Sequence, residues 1–403
     1  MANRVFVTGI GIIAAIGNHT EEALQSLTQK RSGIVKGTTL DTIFKDNIPF
    51  GEIKLSNKVL AEKLNIPSSN SYTRTALLAM TSAKEALVHA QIKDIRNART
   101  GLISATSVGG MDRSEQFFKE YHQDKNKGRL RDIVGHDCGD HTEKIADFLG
   151  INDYMTTLST ACSSSANAII AGSRMIKNQI LDRVIIGGAD SLTKFTMNGF
   201  NSLMIFDRNF CRPFDETRFG LNLGEGAAYL VLESEKMLER EPRKILCEVK
   251  GFGNASDAYH QTASSPDGFG ACLAMRKALE SAQLKPSDID YINAHGTGTP
   301  NNDLSEGKAI ENVFQDMLPL FSSTKAYTGH TLGATGAIEA VLCVLAIQHG
   351  LIYPNLNFTT PMKELAIRPV TELITNAKVD HVLSNSFGFG GNNTSLIFSK
   401  IYN

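Results

Sequence analysis

Three side chains in the sequence combine the residue types that nucleophilic catalysis needs. Cys162 lies in segment 158–165, where an apolar stretch gives way to small residues, and His295 and His330 lie in separate glycine-punctuated segments far downstream. A cysteine alone indicates little, but a cysteine with two such histidines is typical of a nucleophile with acid/base and electrostatic partners. The sequence therefore predicts that Cys162 is a nucleophile and that the two histidines assist it.

The residues after Cys162 distinguish a reactive thiol from an ordinary buried one. Free cysteine is among the most buried residue types, so a structural role is the default interpretation. The following residues are mostly small, and they predict a tightly packed helix over 163–177 that begins just after the sulfur. Unpaired N–H groups and the helix dipole favour a thiolate there and can lower a cysteine pKa to about 3.5–7.5. We therefore expect a lowered pKa for Cys162.

Two further segments contain groups that suit this chemistry. Lys325 lies five residues before His330, and a lysine close to a cysteine or histidine can lower the pKa of its neighbour. The segment 385–394 contains Gly388, Gly390 and Gly391, whose backbone freedom would let the loop direct N–H groups at an oxyanion. The alternatives are a solvated lysine, a flexible turn, and histidines that bond only within their own turns.

Strand-like and helical segments alternate along most of the chain. This alternation predicts an α/β architecture with largely parallel central sheets. A charged stretch over 233–244 divides the chain, and each side carries a comparable strand–helix series. We therefore expect two related halves, residues 1–244 with the cysteine and residues 245–403 with the histidines and the glycine-rich loop. The site would lie between the halves, because ligand sites often form at such junctions.

Composition excludes several classes of function. The chain has 403 residues, 41 of them basic and 42 acidic, and this balance gives no indication of nucleic-acid binding. The six cysteines are scattered without a CxxC pair, which favours a reduced, cytoplasmic protein. We find neither a signal peptide nor an apolar run of 18 residues, so we expect no membrane span.

Three other sequence patterns give weaker indications of a binding site. The segment 9–14 fits GxGxxA, but the apolar run continues past it and the expected acidic residue is missing, which disfavours dinucleotide binding. The cluster 136–141 has metal-ligand residue types at crowded spacing without a recognised pattern, and we predict no metal or other cofactor. The basic stretch 119–132 is most simply a solvated face, although it is the best local patch for an acidic partner.

Together these residues resemble the elongating β-ketoacyl-[acyl carrier protein] synthases of the thiolase-like superfamily. The resemblance runs nearly end to end and rests on motifs that occur in the same order: Val5-Phe-Val-Thr-Gly-Ile-Gly, Thr160-Ala-Cys-Ser-Ser, Arg212-Pro-Phe-Asp-Glu-Thr-Arg-Phe-Gly, His295-Gly-Thr-Gly-Thr, Lys325 with Gly329-His330, and Asn385-Ser-Phe-Gly-Phe-Gly-Gly. It implies a five-layered αβαβα sandwich of two related halves, usually a homodimer. It also implies fatty-acid elongation on a carrier protein.

The resemblance also implies roles for the catalytic residues. Cys162 would accept the acyl chain as a thioester. His295 and His330 would stabilise the malonyl thioester oxygen during loss of CO2, and the resulting enolate would attack the acyl-cysteine. The backbone N–H groups of Cys162 and Phe389 would bind the second oxyanion. Lys325 would orient the surroundings of His330, with Glu306 as its ion-pair partner.

Further residues are assigned to substrate and partner binding by the same resemblance. Thr297 and Thr299 would hydrogen-bond the phosphopantetheine arm that carries the acyl and malonyl groups. Phe389 with Gly390 and Gly391 would form a mobile gate. Two contact regions complete the set: the acyl tunnel near the dimer contact, lined by Val108, and the docking face for acyl carrier protein, with Arg129 and Arg131.

Two departures from the family pattern leave the acyl substrate open. The segment 204–212 is shorter than usual, and the final motif reads Gly391-Asn-Asn where Gly-Thr-Asn is more usual. These departures leave room for a specialised polyene or polyketide-like pathway, in a homodimer or a heterodimer with a related subunit. A non-catalytic chain-length factor is disfavoured because the cysteine and both histidines are present. A degradative thiolase is disfavoured because it would use a second cysteine as base where this chain offers His295. A cysteine hydrolase is disfavoured because no motif supplies the orienting carboxylate or amide that it would need.

Overall fold

The computed structural model describes residues 4–67 and 71–402. Within those ranges the strands are β1 Val5–Ala14, β2 Thr100–Ala105, β3 Tyr154–Leu158, β4 Arg183–Asp190, β5 Gly226–Ser234, β6 Cys247–Ser256, β7 Tyr291–Asn293, β8 Leu320–Ser322, β9 His381–Gly388 and β10 Asn392–Ser399. The helices in the same ranges are α1 Thr20–Thr28, α2 Asn57–Lys63, α3 Arg74–His89, α4 Met111–Gln123, α5 Asp140–Leu149, α6 Ser164–Lys177, α7 Lys194–Ser202, α8 Glu235–Arg240, α9 Phe269–Ala282, α10 Pro300–Phe314, α11 Lys325–Thr328 and α12 Thr335–His349.

The strand order shows that the fold repeats one topology. The order is β3-β2-β4-β5-β1 in the first half and, read from the other edge, β8-β7-β9-β10-β6 in the second. Each strand of the first half therefore has a counterpart five strands later. The pairing directions repeat too, since the outer pairs are parallel and the pairs that involve β5 or β10 are antiparallel. The expectation of two related halves is confirmed, whereas the placement of their boundary at residues 244 and 245 stays a prediction.

The two half-sheets meet along a narrow seam. β1 and β6 are paired through only two residue pairs, Phe6 with Glu248 and Val7 with Cys247. The half-sheets pack on opposite sides of α6 and α12, and one large apolar core fills this middle region. A second core lies beneath α3 and α5, and a third beneath α9 and α10. These contacts give the expected order of layers, helix, sheet, helix, sheet, helix.

The expectation of largely parallel sheets was wrong. β1 runs antiparallel to both β5 and β6, and β9 and β10 form an antiparallel pair joined by a short turn. The error arose from taking buried strands as a sign of a parallel sheet. Here helices cover both faces of each half-sheet, so the antiparallel strands are buried as well. Such strands read as continuous apolar runs whichever direction they take.

The glycines of segment 9–14 are needed for packing. Both Gly9 and Gly11 lie inside β1, which continues through the segment as a strand. A Cβ atom on Gly9 would lie 2.3 Å from the carbonyl oxygen of Ala86, and one on Gly11 would lie 2.1 Å from that of Ser82. The glycines thus allow α3 to approach the sheet closely, and the strand leaves no turn for a dinucleotide phosphate.

One helical segment has the length and composition of a membrane span, which the sequence analysis did not anticipate. Leu332–His349 has 18 residues and a mean hydropathy of 1.5. However, 89% of the segment is buried inside the protein, where α12 packs between the half-sheets. Its apolar character therefore fits a core helix.

The close packing of α3 on β1 leads to a stability prediction. We expect Gly11→Ala to lower the free energy of unfolding by about 1–3 kcal/mol, because the added methyl group must displace backbone of α3. Gly199→Ala is the matched control, since Gly199 is helical and has no atom within 4 Å of an added Cβ. We expect this change to stabilise the protein by about 0.5–1 kcal/mol. Urea unfolding of both variants measures the difference, and equal effects would contradict the packing argument.

Candidate active site

Cys162 lies in a tight turn between β3 and α6. Ala161, directly before it, has a φ of 53°, in the left-handed region that L-residues seldom adopt. Such a residue costs of order 1–3 kcal/mol and persists only where its surroundings fix it. The side chain of Ser164 does so, since its Oγ accepts from the N–H of Thr160 at 2.8 Å and donates to the carbonyl oxygen of Ala161 at 2.5 Å.

Burial reverses the expected pKa shift of Cys162. The residue is only 5% exposed, and desolvation raises the pKa of its thiol to about 11. The charge of Lys325 and the nearby backbone N–H of Phe389 act in the opposite direction. The expectation of a lowered pKa was wrong, because the loss of water around the buried thiol outweighs these favourable effects.

Two buried carboxylates of α10 hold the loop that carries His295. Glu306 accepts from the N–H groups of His295 and Gly296 at 2.8 Å each, and Asp303 accepts from those of Thr297 and Gly298. The two carboxylates are three residues apart in the helix, so both face the same loop. Burial raises the pKa of Glu306 to about 7. The conformation of the loop is thus fixed by hydrogen bonds from its backbone N–H groups to these two carboxylates.

The hydrogen bonds of His330 determine its tautomer. Its Nδ1 accepts from the backbone N–H of Leu332 at 3.1 Å, so the proton of the neutral ring lies on Nε2. The rings of His295 and His330 are 5.5 Å apart and nearly perpendicular. Burial lowers the pKa of both histidines well below the usual value, and the charge of Lys325 adds to the shift. Both rings are therefore neutral donors near pH 7.

The ion pair of Lys325 differs from the predicted one. Its Nζ lies 2.6 Å from Glu339 Oε1 and also donates to the carbonyl oxygen of His295. Both side chains of the pair are almost fully buried. Glu306, the predicted partner, is instead engaged by the N–H groups of the His295 loop and by Asn385. Burial also raises the pKa of Glu339 to about 7, against the effect of Lys325.

A cavity of about 320 Å³ brings these groups together. Cys162, His295 and His330 line it, as do Thr297, Thr299, Gly390 and Gly391. The oxygens of the two threonine side chains are 2.9 Å apart. Apolar side chains that the sequence analysis did not predict form one wall: Phe200, Leu203, Ile205 and Leu221. The cavity thus combines a polar catalytic end with an apolar wall suited to a hydrocarbon chain.

Phe389 closes one side of the cavity. Its ring stacks on Phe200 with centroids 6.0 Å apart. Gly390 and Gly391 both have positive φ angles, and the N–H of Gly390 donates to the carbonyl oxygen of Gln261 at 2.7 Å. Gly388 packs so closely that a Cβ atom there would lie 2.8 Å from the carbonyl oxygen of Thr160. The glycine-rich loop therefore lies directly against the nucleophile turn.

Five predicted residues lie outside the lining of this cavity: Lys325 and Glu306, whose contacts are given above, and Val108, Arg129 and Arg131. Val108 is partly buried beside the apolar cluster that includes Leu332, and its N–H donates to Asp190 at 3.2 Å. Arg129 and Arg131 lie between α4 and α5, where Arg129 is paired with Asp132 at 3.0 Å. Their roles in the acyl tunnel and in carrier docking therefore stay predictions.

Comparison with known proteins defines the class. Residues 2–237 match the N-terminal domain of β-ketoacyl synthases, and residues 246–359 match their C-terminal domain. The chain is 33% identical over 411 residues to 3-oxoacyl-[acyl-carrier-protein] synthase 2 of Staphylococcus aureus (strain N315), which covers 98% of both chains. It is 32% identical over 418 residues to the Coxiella burnetii (strain RSA 493 / Nine Mile phase I) protein of the same name, with 99% of both covered.

Solved structures share the fold over the whole chain. The ishigamide ketosynthase/chain length factor has a TM-score of 0.94 at 29% identity, with 100% of both chains covered. The structure described as ketosynthase (ApeO) in complex with its chain length factor (ApeC) from Xenorhabdus doucetiae has a TM-score of 0.85 at 32% identity and covers 99% of this chain and 98% of that one.

The chain belongs to the β-ketoacyl synthase family, with the thiolase-like fold. Within the family it is an elongating, type II condensing enzyme of the acyltransferase class.

The buried ion pair leads to a second stability prediction. We expect Lys325→Met and Glu339→Leu each to lower the free energy of unfolding by about 3–5 kcal/mol, because each leaves a buried charge without its partner. The double variant should be more stable than either single variant, since it leaves neither charge. Combining Lys325→Met with Glu306→Leu provides the control, which should show no such recovery. Chemical denaturation measures all five proteins, and recovery with Glu306→Leu instead would assign the pair to Glu306.

Proposed function

We propose that this protein elongates acyl chains by decarboxylative condensation with malonyl-acyl carrier protein, with Cys162 as the nucleophile. The Cys162 sulfur attacks the carbonyl carbon of the acyl thioester on the carrier protein, the C–S bond to the carrier breaks, and the carrier leaves as a thiol with the proton that Cys162 loses. The observation that carries this assignment is that Cys162, His295 and His330 line one cavity. The chain therefore holds a nucleophile and two neutral hydrogen-bond donors where one acyl group can reach them.

The second half-reaction joins two carbons to the chain. The malonyl thioester loses CO2, and the electron pair of the broken bond forms an enolate. Its carbon attacks the acyl-cysteine carbonyl, a carbon–carbon bond forms and Cys162 leaves as thiolate. His295 and His330 donate to the enolate oxygen, while the N–H groups of Cys162 and Phe389 bind the oxyanion of the acyl group. The Nε2 proton of His330 and the closeness of the Phe389 N–H to the Cys162 thiol, whose pKa it lowers, support these roles.

Several binding roles belong to the same proposal. Thr297 and Thr299, whose oxygens meet at the cavity wall, would hold the phosphopantetheine arm. Phe389 would act as the gate, because its flanking glycines permit movement that its stacking on Phe200 now opposes. Arg129 and Arg131 would dock the carrier protein. A cytoplasmic location completes the proposal and is supported by six free cysteines.

A specialised polyene or polyketide-like pathway is the second candidate. The observation that favours it is the high structural similarity to the ishigamide ketosynthase/chain length factor. A non-catalytic subunit fits less well, because the nucleophile and both histidines line one cavity.

The proposed reaction predicts a defined product. Purified protein supplied with acyl- and malonyl-carrier proteins should release CO2 and form a β-ketoacyl product two carbons longer, measured by mass spectrometry. Cys162→Ala should abolish the elongated product, whereas Cys138→Ala, which alters a cysteine outside the cavity lining, should retain it. The elongated product is the deciding readout, because malonyl decarboxylation can continue without the nucleophile. Product formation by Cys162→Ala would refute the proposal.

We also propose that the protein forms a homodimer through β3. This strand is one edge of the sheet, and Met155 within it is 51% exposed. An unpaired edge strand favours association, and a second copy of β3 can pair with it around a twofold axis.

The dimer proposal predicts a change in mass in solution. Met155→Lys should shift the protein towards monomer in analytical ultracentrifugation, because a charge would enter the interface. Met317→Lys is the matched control, since Met317 is 55% exposed but lies after α10, away from this edge. The homodimer would be contradicted if the wild-type protein were a monomer, or if it formed a dimer only with a related subunit.

A further inference from the structure

One asparagine lies at the centre of a hydrogen-bond network beside the nucleophile turn. Asn392 begins β10 directly after the glycine-rich loop. Its Oδ1 accepts from Ser163 Oγ and Asn167 Nδ2 at 2.8 Å each and from Asn254 Nδ2 at 2.9 Å. The donors come from the nucleophile turn, from α6 and from β6, so one carbonyl oxygen connects three parts of the fold.

Ser163 links this network to the nucleophile. It is the N-cap residue of α6, but its side chain makes no capping bond to the helix, the usual task of a serine there. Its hydroxyl instead lies 2.8 Å from both Asn392 Oδ1 and the carbonyl oxygen of Thr160. Asn167 adds a bond from Nδ2 to Thr160 Oγ1 at 2.9 Å. The strained turn that contains Ala161 is therefore held from both sides.

Asn392 is also fixed to the loop that carries Phe389. In the pairing of β9 and β10 it lies opposite Gly388, the residue before Phe389. Gly388 in turn packs against the nucleophile turn, where a Cβ atom would lie 3.3 Å from the backbone nitrogen of Cys162. The backbone of Asn392 thus fixes one N–H donor of the oxyanion site, and its side chain fixes the turn that provides the other.

We propose that Asn392 is a positioning residue that sets the distance between the backbone N–H groups of Cys162 and Phe389. This inference rests on the proposed function, in which these two groups bind the acyl oxyanion. Asn392 does not line the cavity, so it acts through Ser163 and Gly388 rather than on substrate. Small displacements of such donors reduce transition-state stabilisation while leaving substrate binding intact.

The test is acyl transfer to Cys162 in the full-length protein, with acyl carrier protein as donor. We expect Asn392→Ala to slow single-turnover acylation by about ten- to a hundredfold, less than the roughly 10²–10³-fold loss typical when an oxyanion donor is removed. KM for the acyl carrier protein should stay unchanged, because the binding surface is intact. Asn178→Ala is the matched control, since the side chain of Asn178 donates to the carbonyl oxygen of Arg174 at the far end of α6.

A double-mutant cycle distinguishes positioning from general destabilisation. Ser163→Ala removes the hydroxyl that contacts Asn392 and leaves the helix cap unchanged, so it should slow acylation in the same way. Because both act through one contact, the double variant should be no slower than the slower single variant. Additive losses, a raised KM or wild-type acylation by either variant would overturn the proposal. If Asn392→Ala does not fold, Ser163→Ala alone decides it. Failure of the wild-type protein to be acylated would instead refute the proposed function.

Discussion

The buried ammonium group of Lys325 connects the parts of the site that the chain supplies separately. It begins α11, donates to the carbonyl oxygen at His295, and pairs with Glu339 in α12. One charge thereby fixes the loop after β7 to the central helix. A lysine this deeply buried needs partners, because an uncompensated charge in the interior is costly. The position of His295 depends on this requirement, since its carbonyl oxygen accepts from the lysine and its N–H donates to Glu306.

Removal of water determines the electrostatic character of the cavity. The same desolvation that keeps both histidine rings neutral also raises the pKa of Cys162 and of the carboxyl groups of Glu306 and Glu339. Neutral rings suit a site in which negative charge develops on an oxygen, because they donate without the cost of burying two more cations. Burial by the same surroundings favours the protonated form of the Cys162 thiol.

The sequence predicted those parts of the site that depend on local sequence patterns, and it failed for contacts between distant parts of the chain. Cys162, His295 and His330 were predictable because each lies in a local pattern of small residues or glycines. The partner of Lys325 was not, since Glu306 on α10 and Glu339 on α12 are both acidic residues on neighbouring helices, and only the packing shows which of them reaches the lysine. One signal was present, because Glu339 is the only acidic residue in the apolar helix α12. The antiparallel pairs escaped prediction because strands covered on both faces show no alternation.

The repeated topology has a consequence for how the chemistry is divided. The turn after β3 holds Cys162, and the matching turn after β8 leads to Lys325. The end of β7 leads to His295, whereas its counterpart β2 ends at Ala105 and is followed by Thr106. Two copies of a chain of half this length could build the same layers, but with identical loops at both ends. Joining the halves in a single polypeptide removes that identity, so that the loop after β3 can carry Cys162 while its counterpart after β8 leads to Lys325.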